Sequence, residues 1–142
     1  MLALLDVNVL IALLDRDHSS HAAARGWMVQ HGAAGWATCP ITQNGCIRVM
    51  ASPGYPNALA VHAVVERLRR ATSDPLHEFW PDDVSVLSDT HLAPTRIHGP
   101  SQLTDAYLLA LAVAHHGRLV TFDRAVVRAA VPGATAAHLV TL

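Results

Sequence analysis

The stretch from Ser101 to Asp123 constrains the fold more than any other part of the sequence. Leu103, Ala106, Leu108, Leu109, Leu111, Ala112 and Val113 make a helix over residues 101–116 apolar on nearly every side, so it must be covered all round. Gly117 stands at its C′ position, and residues 118–122 then read as a strand. Residues 1–5 form another continuous apolar run, as expected for a central strand buried on both faces, and it ends at Asp6. Between these two regions the pattern predicts helices over 9–14, 20–31, 42–50 and 57–71. Ser19 or Ser20 caps the second of these and Gly32 follows its end, while Ser52-Pro53-Gly54 stops the third. Strands are expected over 35–38 and, at an edge, 77–80. Residues 81–100 are the least regular and are expected as a flexible loop, followed later by a short helix over 124–130 and a last strand over 138–141. Strands alternate with helices, which gives an α/β class with a mostly parallel central sheet flanked by helices.

A length of 142 residues suits a single domain over 1–142, large enough to bury a core without disulfides. Aromatic residues make up only 5%, so Ala, Leu and Val must fill that core. The net charge of −1 argues against a protein that coats nucleic acid, and leaves room for an enzyme that touches a few phosphates. All ten basic side chains are Arg; biased base composition accounts for this, and the arginine fork also suits phosphate. The two cysteines, Cys39 and Cys46, form no C-x-x-C or zinc-like grouping, which fits a reduced cytoplasm. The apolar N-terminal segment lacks a basic leading stretch and a small-residue cleavage site, and Asp6 and Asp15 leave it too short to span a bilayer.

Three aspartates are expected at one edge of the sheet. In open α/β sheets ligands sit outside the carboxyl ends of the strands. Asp6 ends the first strand, Asp123 ends the strand at 118–122, and Asp105 lies in the first turn of the helix leading into it. That helix descends roughly 16 Å from Asp105 to His116, and the strand returns roughly 17 Å to Asp123. Both carboxylates therefore finish at the same edge, and Asp6 joins them if its strand is parallel. Each aspartate alone could simply cap a helix or favour its dipole. Together, three carboxylates repel unless protons or a cation intervene. Hard divalent cations such as Mg²⁺ accept this oxygen set and support phosphodiester hydrolysis.

The segments LLDVNVLIALLD, PITQNGCIRV and TDAYLLALAVAHHGRLVTFDR resemble, in this order and spacing, the PIN-domain ribonucleases, and more narrowly the VapC-type toxins of bacterial toxin–antitoxin pairs. The resemblance implies a PIN fold, dependence on Mg²⁺ or Mn²⁺, and an endoribonuclease of a type II toxin–antitoxin system that cleaves RNA. It also implies a VapB-type antitoxin that covers the active site, and it suggests a homodimer. By position it makes Asp6, Asp105 and Asp123 the acidic metal site, with Asn8 and Thr121 as polar supports. One departure stands out. Gln43 occupies the place, just after Thr42, where such toxins usually carry a glutamate. Gln keeps a carbonyl oxygen but loses the charge and cannot act as a base. The competing expectation is therefore a catalytically weakened PIN-like protein that binds RNA or antitoxin.

Other signals are weaker. Arg124 directly follows Asp123 and is the favoured phosphate contact, while Arg67, Arg69 and Arg70 read as a solvated helix face. Arg48, near Gln43 on a helix, could contact phosphate or instead pair with an acid. His18/His21 and His115/His116 lack acid or cysteine partners at zinc-like spacing and read as solvated or capping residues. Trp80 reads as core, and Asp82 or Asp83 is a remote substitute for the missing glutamate charge. An aspartyl phosphatase would also place an Asp after its first strand, but it needs a second acid where this chain has Asn8. No glycine-rich phosphate fingerprint is present.

Overall fold

In the computed structural model, which describes residues 1–142, five short strands form one sheet. They are β1 (Ala3–Leu5), β2 (Trp36–Thr38), β3 (His77–Phe79), β4 (Arg118–Thr121) and β5 (Leu139–Thr141). Their order is β3-β2-β1-β4-β5, and every neighbouring pair is parallel. Five helices, α1 (Val7–Leu14), α2 (His21–His31), α3 (Pro40–Met50), α4 (Val61–Thr72) and α5 (Leu103–Ala114), connect and cover them.

Successive strand side chains point to opposite faces, and this divides the core into two layers. Ala3, Leu5, Trp36 and Val120 pack with Val9 and Leu10 of α1, Cys46 and Met50 of α3 and Val64 of α4. Leu4, Ala37 and Leu119 pack on the other face with α5, Trp80, Val84 and Leu92. Residues Ala106 to Ala112 of α5 are all buried, as its apolar circumference requires. The strand order places β2 on one side of β1 and β4 on the other. The β1/β4 boundary is therefore the switch point, where a crevice opens outside the carboxyl ends of the strands.

Several expectations are corrected. The helix expected over 124–130 does not form; only a single 3₁₀ turn at Arg128–Ala130 is present. The Asp123 carboxylate accepts the Ala125 N–H at 2.7 Å, which tightens a turn, and the β-branched Val126 and Val127 pack on the α5 layer instead of winding up. Helix α4 starts at Val61 rather than at 57, because Asn57 takes a left-handed φ of 56° and Leu59 N–H donates back to the Met50 carbonyl at 3.3 Å. The long loop is anchored: Trp80, Val84 and Leu92 are buried, and Ala93 N–H donates to the Ala130 carbonyl at 2.8 Å. Gly117 serves close packing rather than the helix stop. His116 takes the left-handed position with φ of 55°, whereas a Cβ on Gly117 would lie 2.6 Å from the Trp80 ring and 2.7 Å from the Leu2 carbonyl.

Candidate functional site

The crevice at the β1/β4 switch point is built by hydrogen bonds between the two strand ends. Asp6 follows β1 directly, and its Oδ1 caps α1 by accepting the Val7 N–H at 2.7 Å. Its Oδ2 accepts the hydroxyl of Thr121 at 2.6 Å. Thr121, the fully buried last residue of β4, also accepts the Asp123 N–H at 3.0 Å and the Asn8 side-chain amide at 3.4 Å. Asn8 Oδ1 accepts the Phe122 N–H at 3.2 Å. Thr121 and Asn8 thus lock the chain after β4 to the first turn of α1, and Asn8 has no proton to offer as a general acid.

Asp105, half-buried in the first turn of α5, lies near both other acids. Burial first, then the Asp6 charge, then Asp123 push its pKa up to about 7. Asp6 is also raised: its burial outweighs the Thr121 and Val7 donors, and Asp123 adds repulsion. The helix-down, strand-up geometry thus brings Asp6, Asp105 and Asp123 to one edge. They do not close round a single point: both Asp6 oxygens are turned to their donors, and no three of the acids converge. Such an open, over-charged, all-oxygen set fits Mg²⁺ or Mn²⁺, which retain several waters and take one or two carboxylates at a time. It lacks the nitrogen or sulfur ligands zinc favours.

Gln43 stands apart from this group. Its amide donates to Thr38 Oγ1 at 3.0 Å, and Thr38 Oγ1 lies 2.8 Å from His77 Nε2. Thr38 shares a strand face with Trp36, on the α3/α4 side of the sheet, so Gln43 sits in a cleft with Ile47, Val65, Leu68, Arg69 and Thr72. The buried stripe of α3 is Thr42, Cys46 and Met50, and Gln43, one residue further round the helix, faces Thr38 and α4.

Two residues further round, the helix faces a different wall. Asn44 and Arg48, one turn apart on α3, line a 280 Å³ groove with Val7, Ile41, Gly45 and Thr104. Val7 and Thr104 are the chain neighbours of Asp6 and Asp105. Sequence reasoning missed this wall; the one-turn spacing of Asn44 and Arg48 was its only signal. Arg48 makes no ion pair; the carboxylate–cation contacts present are Arg69–Glu66 and His115–Asp83. Arg124 is exposed beside Asp123.

The remaining candidates are engaged elsewhere. Asp83 meets His115 Nε2 at 2.9 Å, and that ring stacks on the buried Trp80 at 4.5 Å. Asp82 lies near the Cys39 thiol, and burial raises its pKa. Neither acid joins the three aspartates. His18 Nδ1 accepts the Ser20 N–H at 3.0 Å, and His21 Nδ1 bonds the Ala12 carbonyl at 2.7 Å. Arg67 donates to the Leu14 carbonyl at 3.1 Å. Both cysteines are buried and unpaired. No helix is long and apolar enough to cross a membrane.

Comparison with known proteins places the chain in a family. A family profile described as PIN domain matches residues 3–132. The chain is 55% identical to Ribonuclease VapC44 of Mycobacterium tuberculosis over 142 residues, covering 100% of both chains. It is 41% identical to Ribonuclease VapC39 of the same organism over 134 residues, 94% of this chain and 96% of the relative. A solved structure, VapBC2 from Rickettsia felis bound to a DNA fragment from their promoter, superposes with a TM-score of 0.53 at 17% identity. That match covers 87% of this chain and 88% of the other, and it bears on the fold alone. The chain belongs to the PIN-domain family, in its VapC-type branch.

Proposed function

We propose that this protein is a divalent-metal-dependent endoribonuclease, the toxin of a type II toxin–antitoxin pair. The observation that carries the proposal is the gathering of Asp6, Asp105 and Asp123 at the switch point of the sheet, where burial and the two neighbouring acids push the Asp105 carboxyl up to about 7. Carboxyls perturbed together by burial and like charge cluster at functional sites. The full-length relatives named as ribonucleases support the same reaction. Asp6, Asp105 and Asp123 would hold the ion, Mg²⁺ or Mn²⁺. When bound, the ion supplies Lewis-acid activation of water and charge neutralisation at the phosphate. Thr121 fixes the Asp6 carboxylate, and Asn8 fixes the backbone that carries Asp123. Arg124 is positioned to meet a phosphate on the Asp123 side.

Single-stranded loops are the expected substrate, because their bases can be splayed out and read. In-line attack by water leaves a 5′-phosphate and a 3′-hydroxyl. A cognate VapB-type antitoxin that covers the crevice, a homodimer and a cytoplasmic setting belong to the same proposal. Gln43 lies outside the carboxylate group in a neutral network of its own, which supports an intact site rather than the weakened binding protein.

The test incubates labelled structured RNA with the purified chain in Mg²⁺, in Mn²⁺ and in EDTA, beside Asp6→Ala. Metal-dependent cleavage that disappears in Asp6→Ala is the expected result. A 2′,3′-cyclic phosphate product, or cleavage that persists in EDTA, contradicts the reading. Cleavage only after Gln43→Glu would establish the silenced alternative.

A further inference from the structure

A groove lined from α1, α3 and α5 reaches Val7 and Thr104, the chain neighbours of Asp6 and Asp105, and contains no acid itself. Gly45 and Val7 form part of its wall, and Asn44, Arg48 and Thr104 supply its polar groups. The close approach of α3 to α1 depends on Gly45: a Cβ there would lie 2.7 Å from Val7 Cγ2. A side chain at this position would push the two helices apart, and with them Asp6 and Arg48. Arg48 is exposed and accepts no carboxylate, although eleven acidic residues are available in the chain. An arginine in the last turn of a helix also suits the helix dipole. That role does not require Asn44 one turn earlier on the same wall, nor Thr104 opposite.

We propose that this groove is the subsite for a non-scissile phosphate of the substrate strand, with the Arg48 guanidinium as its ligand and the Asn44 amide and Thr104 hydroxyl as hydrogen-bonding partners. The inference rests on the ribonuclease reading and deepens it. A polyanion crossing three aspartates is repelled wherever its charge is not matched, so cations must flank the acids. Arg124 flanks them on the β4 side and Arg48 on the α3 side. The strand would cross the crevice from one arginine to the other and present the intervening phosphate to the carboxylates. Arginine suits this task because its fork meets two phosphate oxygens at once.

The test compares the parent chain with Arg48→Ala, Arg48→Lys and Arg25→Ala, the last removing an equal charge from α2. Binding of a labelled single-stranded RNA is measured in EDTA over a series of salt concentrations, and cleavage kinetics are measured in Mg²⁺. Loss of one phosphate contact lowers the slope of log K against log salt by about 0.7 for single strands. The expected result is that reduction in Arg48→Ala, together with a KM raised about tenfold and kcat nearly unchanged, as for a charge-assisted contact of about 1.4 kcal/mol. Arg48→Lys restores the slope, which counts charge, but only part of the KM, because lysine lacks the fork; Arg25→Ala shows neither loss. A slope and KM in Arg48→Ala equal to those of the parent overturn the subsite, and so does an equal loss in Arg25→Ala. A helix-dipole role would move Tm without moving the slope. If the parent binds RNA through Arg48 but never cleaves it, the subsite stands and the nuclease reading falls. If the parent neither binds nor cleaves any RNA, both fall.

Discussion

Two buried threonines end two strands of the same sheet, and their surroundings could hardly differ more. Thr121 at the end of β4 and Thr38 at the end of β2 are both fully buried. Thr121 lies on the α5 face and serves acids: it donates to Asp6 and receives the Asp123 N–H. Thr38 lies on the α3/α4 face and serves neutral groups, the Gln43 amide and the His77 ring. Burial holds the His77 pKa below its ordinary value, the neighbouring acids Asp74 and Glu78 notwithstanding, so that network stays neutral. The Thr38 network satisfies its polar atoms with neutral partners, as a stable interior does. The Thr121 network gathers negative charge that the fold by itself leaves unmatched. A surplus of like charge, rather than polarity as such, separates a site from a satisfied core.

The sharpest way to break the comparison is to remove each hydroxyl in turn. Thr121→Val takes the donor from Asp6 and frees the turn that carries Asp123. Supports of metal ligands are typically worth 10- to 100-fold, so kcat/KM for RNA cleavage should fall by about that factor. Thr38→Val should leave cleavage within about twofold of the parent and cost about 1–2 kcal/mol of stability, measured by chemical denaturation. Equal cleavage losses in both variants would erase the distinction. The smallest effect is expected for Gln43→Glu. The new carboxylate would sit against Thr38 and His77, raise the His77 pKa in an NMR titration, and change cleavage by no more than about twofold.

Much of this was legible in the sequence, and the reasons are specific. The apolar circumference of α5 demanded a two-layered sheet, and the matched lengths of α5 and β4 placed Asp105 beside Asp123. What the sequence concealed was rotational. On a helix one residue turns the side chain by about 100°, so whether Gln43 or Asn44 faces the crevice depends on which neighbour α3 packs against. The buried stripe of Thr42, Cys46 and Met50 decides it, and that stripe is fixed only by the contacts with α1 and α4. The failed helix at 124–130 has a similar origin. The Asp123 side chain captures the Ala125 N–H, and Val126 and Val127 are drawn onto the α5 layer, a tertiary demand that overrides local periodicity.

The central claim is that the three aspartates form a divalent-cation site, and competition between protons and metal tests it most directly. Without an ion, the Asp105 pKa is raised from 3.8 to about 7 on folding. Between those values the folded state holds a proton that the unfolded state has lost, so stability falls as pH rises through this window. An ion must displace that proton, and its affinity therefore grows with pH until Asp105 is ionised. The measurement is thermal stability across this pH range with and without Mn²⁺, for the parent and for Asp105→Asn. The account predicts that Mn²⁺ stabilises the parent increasingly as pH rises toward and past 7 and opposes the loss seen without metal, while Asp105→Asn shows little of either pH effect. No stabilisation by Mn²⁺ above pH 7, or the same pH dependence in Asp105→Asn, would contradict it.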